Sequence, residues 1–161
     1  MSNQLLIIRG GPASGKTTWL EQNHLLKRTI SPDNIRKELY NGELGDPKVV
    51  WRFVELQFES AAFDGVFFVL DAQDSDYDRW LHKARRYGYE VWFKVMTTPR
   101  SECFKRNAAR EGAARLDDVV MMMAFDWLEQ HPIPDGANIL PDDADPIKFF
   151  NLEKNLIGSF N

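Results

Sequence analysis

The stretch GGPASGKTT, residues 10–18, follows the apolar run LLII at residues 5–8 and precedes a segment with helical character. The residues that fit the spacing G-x-x-x-x-G-K-[ST] of a phosphate-binding loop are Gly10, Gly15, Lys16 and Thr17. Glycines let such a loop wrap closely around phosphates, so that backbone N–H groups and the next helix N-terminus face the anionic oxygens. A strand before the loop and a helix after it are the context that this motif requires. The pattern therefore predicts a nucleotide site on residues 10–18, called the phosphate loop below.

Two side chains of the phosphate loop have separate expected roles. Lys16 would reach the β- and γ-phosphates of ATP, and Thr17 would supply a hydroxyl ligand for Mg²⁺. The loop residues predicted to contact the nucleotide are Gly10, Gly11, Ser14, Gly15, Lys16, Thr17 and Thr18.

Length and composition indicate an ordinary globular protein. The chain has 161 residues, 43% hydrophobic and 27% charged, which predicts one soluble domain over residues 1–161. No apolar run approaches the roughly 20 residues that span a bilayer, so no membrane partner is expected. With Cys103 as its single cysteine and no basic leader, the chain is expected to be cytoplasmic and free of internal disulfides. A net charge of −4 argues against a broad basic nucleic-acid surface, although a local basic groove stays open.

Strand and helix patterns alternate along the chain. Strands are predicted at residues 4–9, 28–30, 66–70, 89–96 and 138–140, and helices at 16–26, 33–40, 50 up to Gly65, 76–87, 98–109, 116–130 and 146–156. This order predicts an α/β fold with a parallel sheet of about four to five strands, right-handed crossovers and helices on both faces.

Asp71 ends the apolar run of residues 66–70, which reads as a buried parallel strand. The end of such a strand lies at the edge where ligands bind. Asp71 is therefore predicted to orient Mg²⁺ or its waters on the substrate side of the site. The alternative is a helix cap or a turn acid.

Asp33 and Arg36 are three residues apart in a predicted helix, so they lie on neighbouring positions of one face. The Asp33 carboxylate could accept a proton from an attacking hydroxyl, and the Arg36 guanidinium could hold an anionic group of the acceptor. An ordinary surface ion pair fits the same spacing equally well.

Arg106 and Arg110 are predicted to share one helix face, with Arg115 in the flexible stretch beyond it. Such arginines could close over ATP as a lid and neutralise charge on the transferred phosphoryl group. A solvated basic helix paired with Glu102 and Glu111 is the alternative.

A weaker signal comes from aromatic residues at helical spacing, Trp51, Phe53 and Phe58. They could stack bases in a nucleic-acid groove. Residues of this kind at such spacing more often belong to a core.

With these features together, the chain resembles the phage-type polynucleotide 5′-hydroxyl kinases of the adenylate-kinase-like branch, from the phosphate loop to about Asp126. The shared features are GGPASGKTTW, SPDNIR at residues 31–36, the strand ending in Asp71, RRYGYEV at 85–91, and KRN at 105–107 followed by Arg110. The resemblance implies that Asp33 is the general base, Arg36 contacts the acceptor phosphate and Arg110 reaches the donor phosphates. It also implies Lys16 and Thr17 as ligands of ATP and Mg²⁺, and a phage-encoded member would act in the host cytoplasm.

The predicted site follows from these assignments. Its catalytic residues are Lys16, Asp33 and Arg110; Arg106 and Arg110 join the phosphate loop in binding ATP; Asp33, Arg36 and Asp71 bind the substrate; and Thr17 and Asp71 bind the metal. The expected function is an ATP- and Mg²⁺-dependent kinase that acts on a hydroxyl, foremost the 5′-hydroxyl of DNA or RNA.

The chain departs from the family pattern beside two of these residues. Members often have a second acid where this chain has Asn34, and a Thr-Asn pair where it has Ala72-Gln73. These departures leave open, as acceptors, the hydroxymethyl group of a modified pyrimidine in phage DNA and a small-molecule or nucleoside alcohol. A nucleotide-switch NTPase is disfavoured because the sequence lacks the N-K-x-D and Asp-x-x-Gly motifs of such switches.

Overall fold

The computed structural model describes residues 3–72 and 77–154. Its strands are β1 Asn3–Arg9, β2 Thr29–Ile30, β3 Phe68–Leu70, β4 Tyr89–Val95 and β5 Asn138–Ile139. Its helices are α1 Lys16–Gln22, α2 Pro32–Tyr40, α3 Pro47–Asp64, α4 Tyr77–Arg86, α5 Arg100–Ala108, α6 Asp118–Gln130 and α7 Pro146–Phe149. Short 3₁₀ turns lie at Leu26–Arg28, Gly112–Ala114 and Leu152–Lys154.

The five strands form one parallel sheet in the order β2-β3-β1-β4-β5. β1 lies at its centre, with Ile7 opposite Leu70 of β3 and Arg9 opposite Val95 of β4. The phosphate loop therefore leaves the middle of the sheet at its carboxyl edge, where ligands bind in folds of this kind. The predicted α/β fold with a parallel sheet is confirmed.

Alternate residues of β1 bury their side chains on opposite faces of the sheet, as the period of a strand requires. Leu5 and Ile7 join the core beneath α3 and α4, in which Phe58 and Trp80 are fully buried. The neighbours of these two strand residues on the chain, Leu6 and Ile8, join the core on the other face, which includes Leu20 of α1 and Phe150. Both faces are thus covered by helices, as predicted.

Several element ends differ from the predicted ones for local reasons. The first helix stops at Gln22 rather than residue 26, because His24 has a φ of 56° that no α-helix continues. The predicted last helix, residues 146–156, is divided into α7 and a 3₁₀ turn, because Asn151 has a φ of 55°. Residues 155 and 156 of that prediction, Asp76 of the fourth helix and Gln73 lie outside the described residues.

Among residues 3–72 and 77–154, no helix combines the length and apolar character needed to cross a membrane.

Candidate active site

The phosphate loop is shaped by two residues in the left-handed region. Ala13 has a φ of 62° and Gly15 a φ of 95°, and the Ser14 N–H donates to the Gly11 carbonyl at 3.2 Å. α1 then begins at Lys16, and no side chain caps it. The first N–H groups of a helix have no partner inside it. The loop therefore presents backbone donors at its turn into α1, which is what an anionic group requires.

The loop glycines are also required by packing. A Cβ on Gly10 would lie 2.7 Å from Cβ of Met96, and one on Gly11 would overlap the ring of Phe125. Within this turn the Ser14 hydroxyl is buried and has no hydrogen-bond partner in the part of the chain that the structure describes. A buried hydroxyl of this kind is an orphan that a ligand could satisfy, so the loop fits the phosphates that its sequence predicts.

Lys16 and Asp71 meet at the carboxyl edge of the sheet. Their Nζ and Oδ1 atoms are 3.1 Å apart, and each side chain is 18% exposed. The pairing arises because β1 and β3 are adjacent and parallel, and the Asp71 N–H donates to the Ile30 carbonyl of β2 at 2.9 Å. The predicted strand-end acid thus lies beside the phosphate-loop lysine, while Thr17 and Thr18 are exposed at the start of α1.

α2 positions the second predicted pair. Ser31 caps this helix by accepting from the Asn34 N–H at 3.1 Å, and Asp33 follows in its first turn. Arg36 Nη1 lies 3.0 Å from Asp33 Oδ1, and the Asp33 side chain is 82% exposed whereas that of Arg36 is only 21% exposed. Arg36 Nε is buried without a hydrogen-bond partner among the described residues. The ion pair allowed by the spacing exists, and its arginine half is largely enclosed.

Asn34 has a structural reason to differ from an acid. Its Nδ2 donates to the carbonyl of Thr29 in β2 at 3.2 Å, which joins the start of α2 to this strand. A carboxylate has no proton to donate at neutral pH, so an acid could not make this contact.

The arginines of α5 and the loop beyond it are arranged differently from the prediction. α5 ends at Ala108, so Arg110 lies past the helix and does not share a helix face with Arg106. Arg106 Nη1 donates to the Ala13 carbonyl of the phosphate loop at 3.5 Å, and its Nε donates to Glu102 at 3.3 Å. The predicted ion pair with Glu102 is therefore present, but Arg106 also contacts the phosphate loop. The Arg110 side chain is exposed.

Asn107 is a residue of this site that sequence reasoning did not single out. It is 1% exposed, its Nδ2 donates to the Leu116 carbonyl at 2.7 Å, and its Oδ1 accepts from the Leu116 N–H at 2.9 Å. These bonds join the two ends of residues 108–115, the segment that carries Arg110 and Arg115. The only signal for it was its place in KRN, directly before the arginine-rich stretch.

Two further contacts, also missed by sequence reasoning, hold α5 and α6 against the phosphate loop. Thr98 Oγ1 donates to the Ser14 carbonyl at 2.7 Å, and the ring of Phe125 lies against Gly11. Both pairs are more than 80 residues apart in the chain, and neither has a motif that a single sequence reveals.

The three aromatic residues of α3 have separate positions. Phe58 is fully buried in the core and Trp51 packs against the same cluster, which excludes base stacking for Phe58. Phe53 is exposed on the outer face of α3.

A protein-family model, AAA_33, described as an AAA domain, matches residues 5–131, from β1 to the end of α6. The chain belongs to this AAA domain family. The matched residues include the whole phosphate loop, Arg106 and Arg110. No curated protein matches the chain significantly.

Solved structures with a similar fold include two of nearly equal length. A candidate kinase from Chloroflexus aurantiacus J-10-fl is 17% identical with a TM-score of 0.62, covering 96% of this chain and 98% of that one. A sugar kinase from Janibacter sp. HTCC2649 is 18% identical with a TM-score of 0.54, covering 92% and 91%.

A third similar structure is a chain of the Pnkp1/Rnl/Hen1 complex, 22% identical with a TM-score of 0.51. The alignment covers 73% of this chain but 44% of that one. At these identities the likeness shows the fold, which is that of a phosphate-loop kinase. The narrower resemblance to phage-type polynucleotide kinases stays a prediction.

Proposed function

We propose that this protein is an ATP- and Mg²⁺-dependent kinase that transfers the γ-phosphoryl group of ATP to a hydroxyl, with the 5′-hydroxyl of a polynucleotide as the acceptor. One observation carries the proposal. The residues expected at the donor and acceptor ends follow three neighbouring strands of one sheet, in the order β2, β3, β1. Asp33, Asp71 and Lys16 follow these strands in that order, so donor and acceptor groups share one edge.

On the donor side, the phosphate loop would bind the β- and γ-phosphates through its backbone N–H groups and Lys16. Thr17 and Asp71 would hold Mg²⁺, which would neutralise negative charge on the phosphates. No cluster of three or more His, Cys, Asp or Glu in residues 3–72 and 77–154 could hold a metal by itself.

On the acceptor side, the exposed Asp33 carboxylate would take the proton of the attacking hydroxyl. The acceptor oxygen forms a bond to the γ-phosphorus, the bond from that phosphorus to the bridging oxygen breaks, and ADP leaves with the electron pair. Arg36 would hold the acceptor's phosphate, because its Nε is enclosed and has no partner among the described residues. Its contact with Asp33 at 3.0 Å keeps the base and the anion contact together.

Arg106 and Arg110 would supply positive charge to the phosphates bound at the phosphate loop. Arg106 already contacts the loop at Ala13. The exposed Arg110 side chain, in a segment closed by Asn107, would move onto the transferred phosphoryl group.

A second acceptor class is supported by two observations. The net charge of −4 disfavours an extended polyanion, and one similar fold belongs to a sugar kinase. This alternative is a small-molecule alcohol, a nucleoside, or the hydroxymethyl group of a modified pyrimidine such as 5-hydroxymethyluracil in DNA.

The proposal is tested with ATP labelled in its γ-phosphate and a panel of acceptors. The panel contains 5′-hydroxyl DNA and RNA, DNA with 5-hydroxymethyluracil, nucleosides and nucleoside 3′-monophosphates. Label is expected on the 5′-hydroxyl oligonucleotides, and Asp33→Asn should abolish it while ATP binding persists. Asp64→Asn, an exposed acid at the far end of α3, is the matched control.

Three results would contradict the proposal in whole or in part. ATP hydrolysis without labelling of any alcohol would identify a nucleotide-switch NTPase. Full transfer by Asp33→Asn would remove this carboxylate from the mechanism, and label confined to small alcohols would favour the second acceptor class.

A further inference from the structure

The outer face of α3 carries a row of exposed apolar side chains at a regular spacing. The row consists of Val49, Phe53, Leu56 and Phe63, with Ser60 in the remaining position. Phe63 is 83% exposed, and Leu56 and Phe53 are 44% and 41% exposed. Residues three and four apart lie side by side on a helix, so these side chains form one continuous stripe, called the α3 seam below.

The opposite face of the same helix is already used. Val50, Val54 and Phe58 are fully buried in the core beneath the sheet. A helix that is apolar on both faces is normally covered on both, whereas a surface helix has one apolar face and one polar face. Exposed contiguous apolar surface of this kind marks an interaction site.

The spacing of the α3 seam indicates a helical partner. Its positions alternate steps of four and three residues, which is the 3.5-residue repeat that keeps two packed helices in contact along their length. α3 has 18 residues, so it is about 27 Å long and offers several layers to such a partner.

Two charged residues beside the α3 seam indicate that its partner is a second copy of the same helix. Arg52, 64% exposed and 3.8 Å from Glu55 of its own chain, and Glu59, 42% exposed, flank the seam on the same side. When two copies of α3 run antiparallel, Phe53 faces Leu56 of the other copy, and Arg52 faces Glu59 of the other copy twice by symmetry. In a parallel pair, residues on the same side of the seam do not face each other, so both Arg52–Glu59 contacts would be lost.

We propose that the α3 seam is a docking surface for a second copy of this chain, giving an antiparallel, two-fold symmetric dimer. The dyad passes between Phe53 and Leu56, and Phe63 packs on the start of the partner helix near Leu44, which is itself 72% exposed. A symmetric contact of this kind is self-complementary, as two-fold interfaces must be. Glu59 accepts from Lys83 through Oε1 in its own chain, and its second oxygen faces the partner arginine.

Sedimentation equilibrium of the full chain tests the proposal. A helix-to-helix contact lies at the small end of specific interfaces, so we expect dimerisation in the micromolar range. Phe53→Ser and Leu56→Ser should each weaken it tenfold or more. Val120→Ser, which removes a comparably exposed apolar residue (46%) from α6, should leave it unchanged.

A charge exchange tests the antiparallel orientation. Arg52→Glu alone gives four acids across the dyad, and Glu59→Arg alone gives four arginines, so each variant should be monomeric. Mixing the two restores both attractive pairs and should give a mixed dimer. Thermal unfolding of each variant checks that it is folded.

Three outcomes would overturn the inference. These are a wild-type monomer up to several hundred micromolar, a dimer insensitive to Phe53→Ser and Leu56→Ser, and single charge variants that dimerise as well as their mixture. None of these residues lies in the proposed catalytic site, so kinase activity does not enter the result.

Discussion

Lys16 Nζ lies 3.1 Å from Asp71 Oδ1, and both side chains are 18% exposed at the carboxyl edge of two adjacent strands. The carboxylate holds the lysine side chain beside the phosphate loop. ATP would therefore meet a preformed pair of opposite charges. Lys16 would contact the phosphate oxygens, and Asp71 would be available to bind Mg²⁺.

Lys16→Ala should lower turnover about 100-fold or more, because it removes a charge that stabilises the transferred phosphoryl group. The fold should persist, since the partly exposed ion pair contributes little to stability. Steady-state kinetics with labelled ATP measures the first effect and thermal unfolding the second. Lys148→Ala on α7 is the control, and turnover within a few-fold of the wild type for Lys16→Ala would exclude the loop from catalysis.

Arg36→Ala should raise the acceptor KM, and the increase should be largest for acceptors with a phosphate next to the reacting hydroxyl. The reason is that a guanidinium makes paired, charge-assisted bonds to phosphate. Comparing nucleoside 3′-monophosphates with plain nucleosides measures it, with Lys37→Ala on the same helix as control. An equal loss for both acceptors would favour a small-molecule alcohol as the substrate.

Arg110→Ala should lower kcat more than it changes the acceptor KM, because its charge is needed mainly in the transition state. The exposed Lys105→Ala on α5 removes a nearby positive charge and should have a small effect. A change confined to the acceptor KM would reassign Arg110 to substrate recognition.

Asn107→Ala should destabilise the protein by about 1–3 kcal/mol, because it removes a buried side chain and leaves the partly buried N–H and carbonyl of Leu116 without partners. It should also lower kcat, since the hydrogen bonds that join the two ends of residues 108–115, the segment with Arg110, are lost. Denaturant unfolding and kinetics measure these effects. Asn138→Ala removes a single exposed hydrogen bond and should cost less than half as much; equal costs would argue against a special role for Asn107.

Gly11→Ala should weaken nucleotide binding and destabilise the loop by about 1–3 kcal/mol, because the new methyl group would overlap the Phe125 ring. Phe125→Ala in the same chain should recover part of the lost nucleotide affinity by removing that ring. Fluorescent-nucleotide titration and thermal unfolding of the single and double variants measure this. If the double variant binds nucleotide no better than Gly11→Ala, the overlap is not the cause.

The phosphate loop, the parallel α/β fold and the strand-end position of Asp71 could be predicted from the sequence, because each depends on short-range patterns. Motif spacing and the alternation of apolar strands with helices are local properties. The cap of α2 by Ser31 belongs to this class, and it positions Asp33 in the first turn.

Other features depend on residues far apart in the chain. Asn107 is hydrogen-bonded to Leu116, and the ring of Phe125 lies against Gly11. No sequence periodicity predicts that these segments are in contact. Helical spacing also placed Arg106 and Arg110 on one face, although α5 ends between them. Spacing gives the direction of a side chain only while the helix continues.

The sequence by itself determined the phosphate-loop motif, the fold class and the spacing that allows the Asp33–Arg36 ion pair, since these follow from residue type and local spacing. Only the tertiary structure decided which side chains meet and which remain uncovered. Strand order brings Lys16 to Asp71, and packing buries one apolar face of α3 while leaving the other, with Phe53 and Phe63, exposed. Sequence periodicity cannot distinguish those two faces, because burial depends on what the rest of the chain places against each of them.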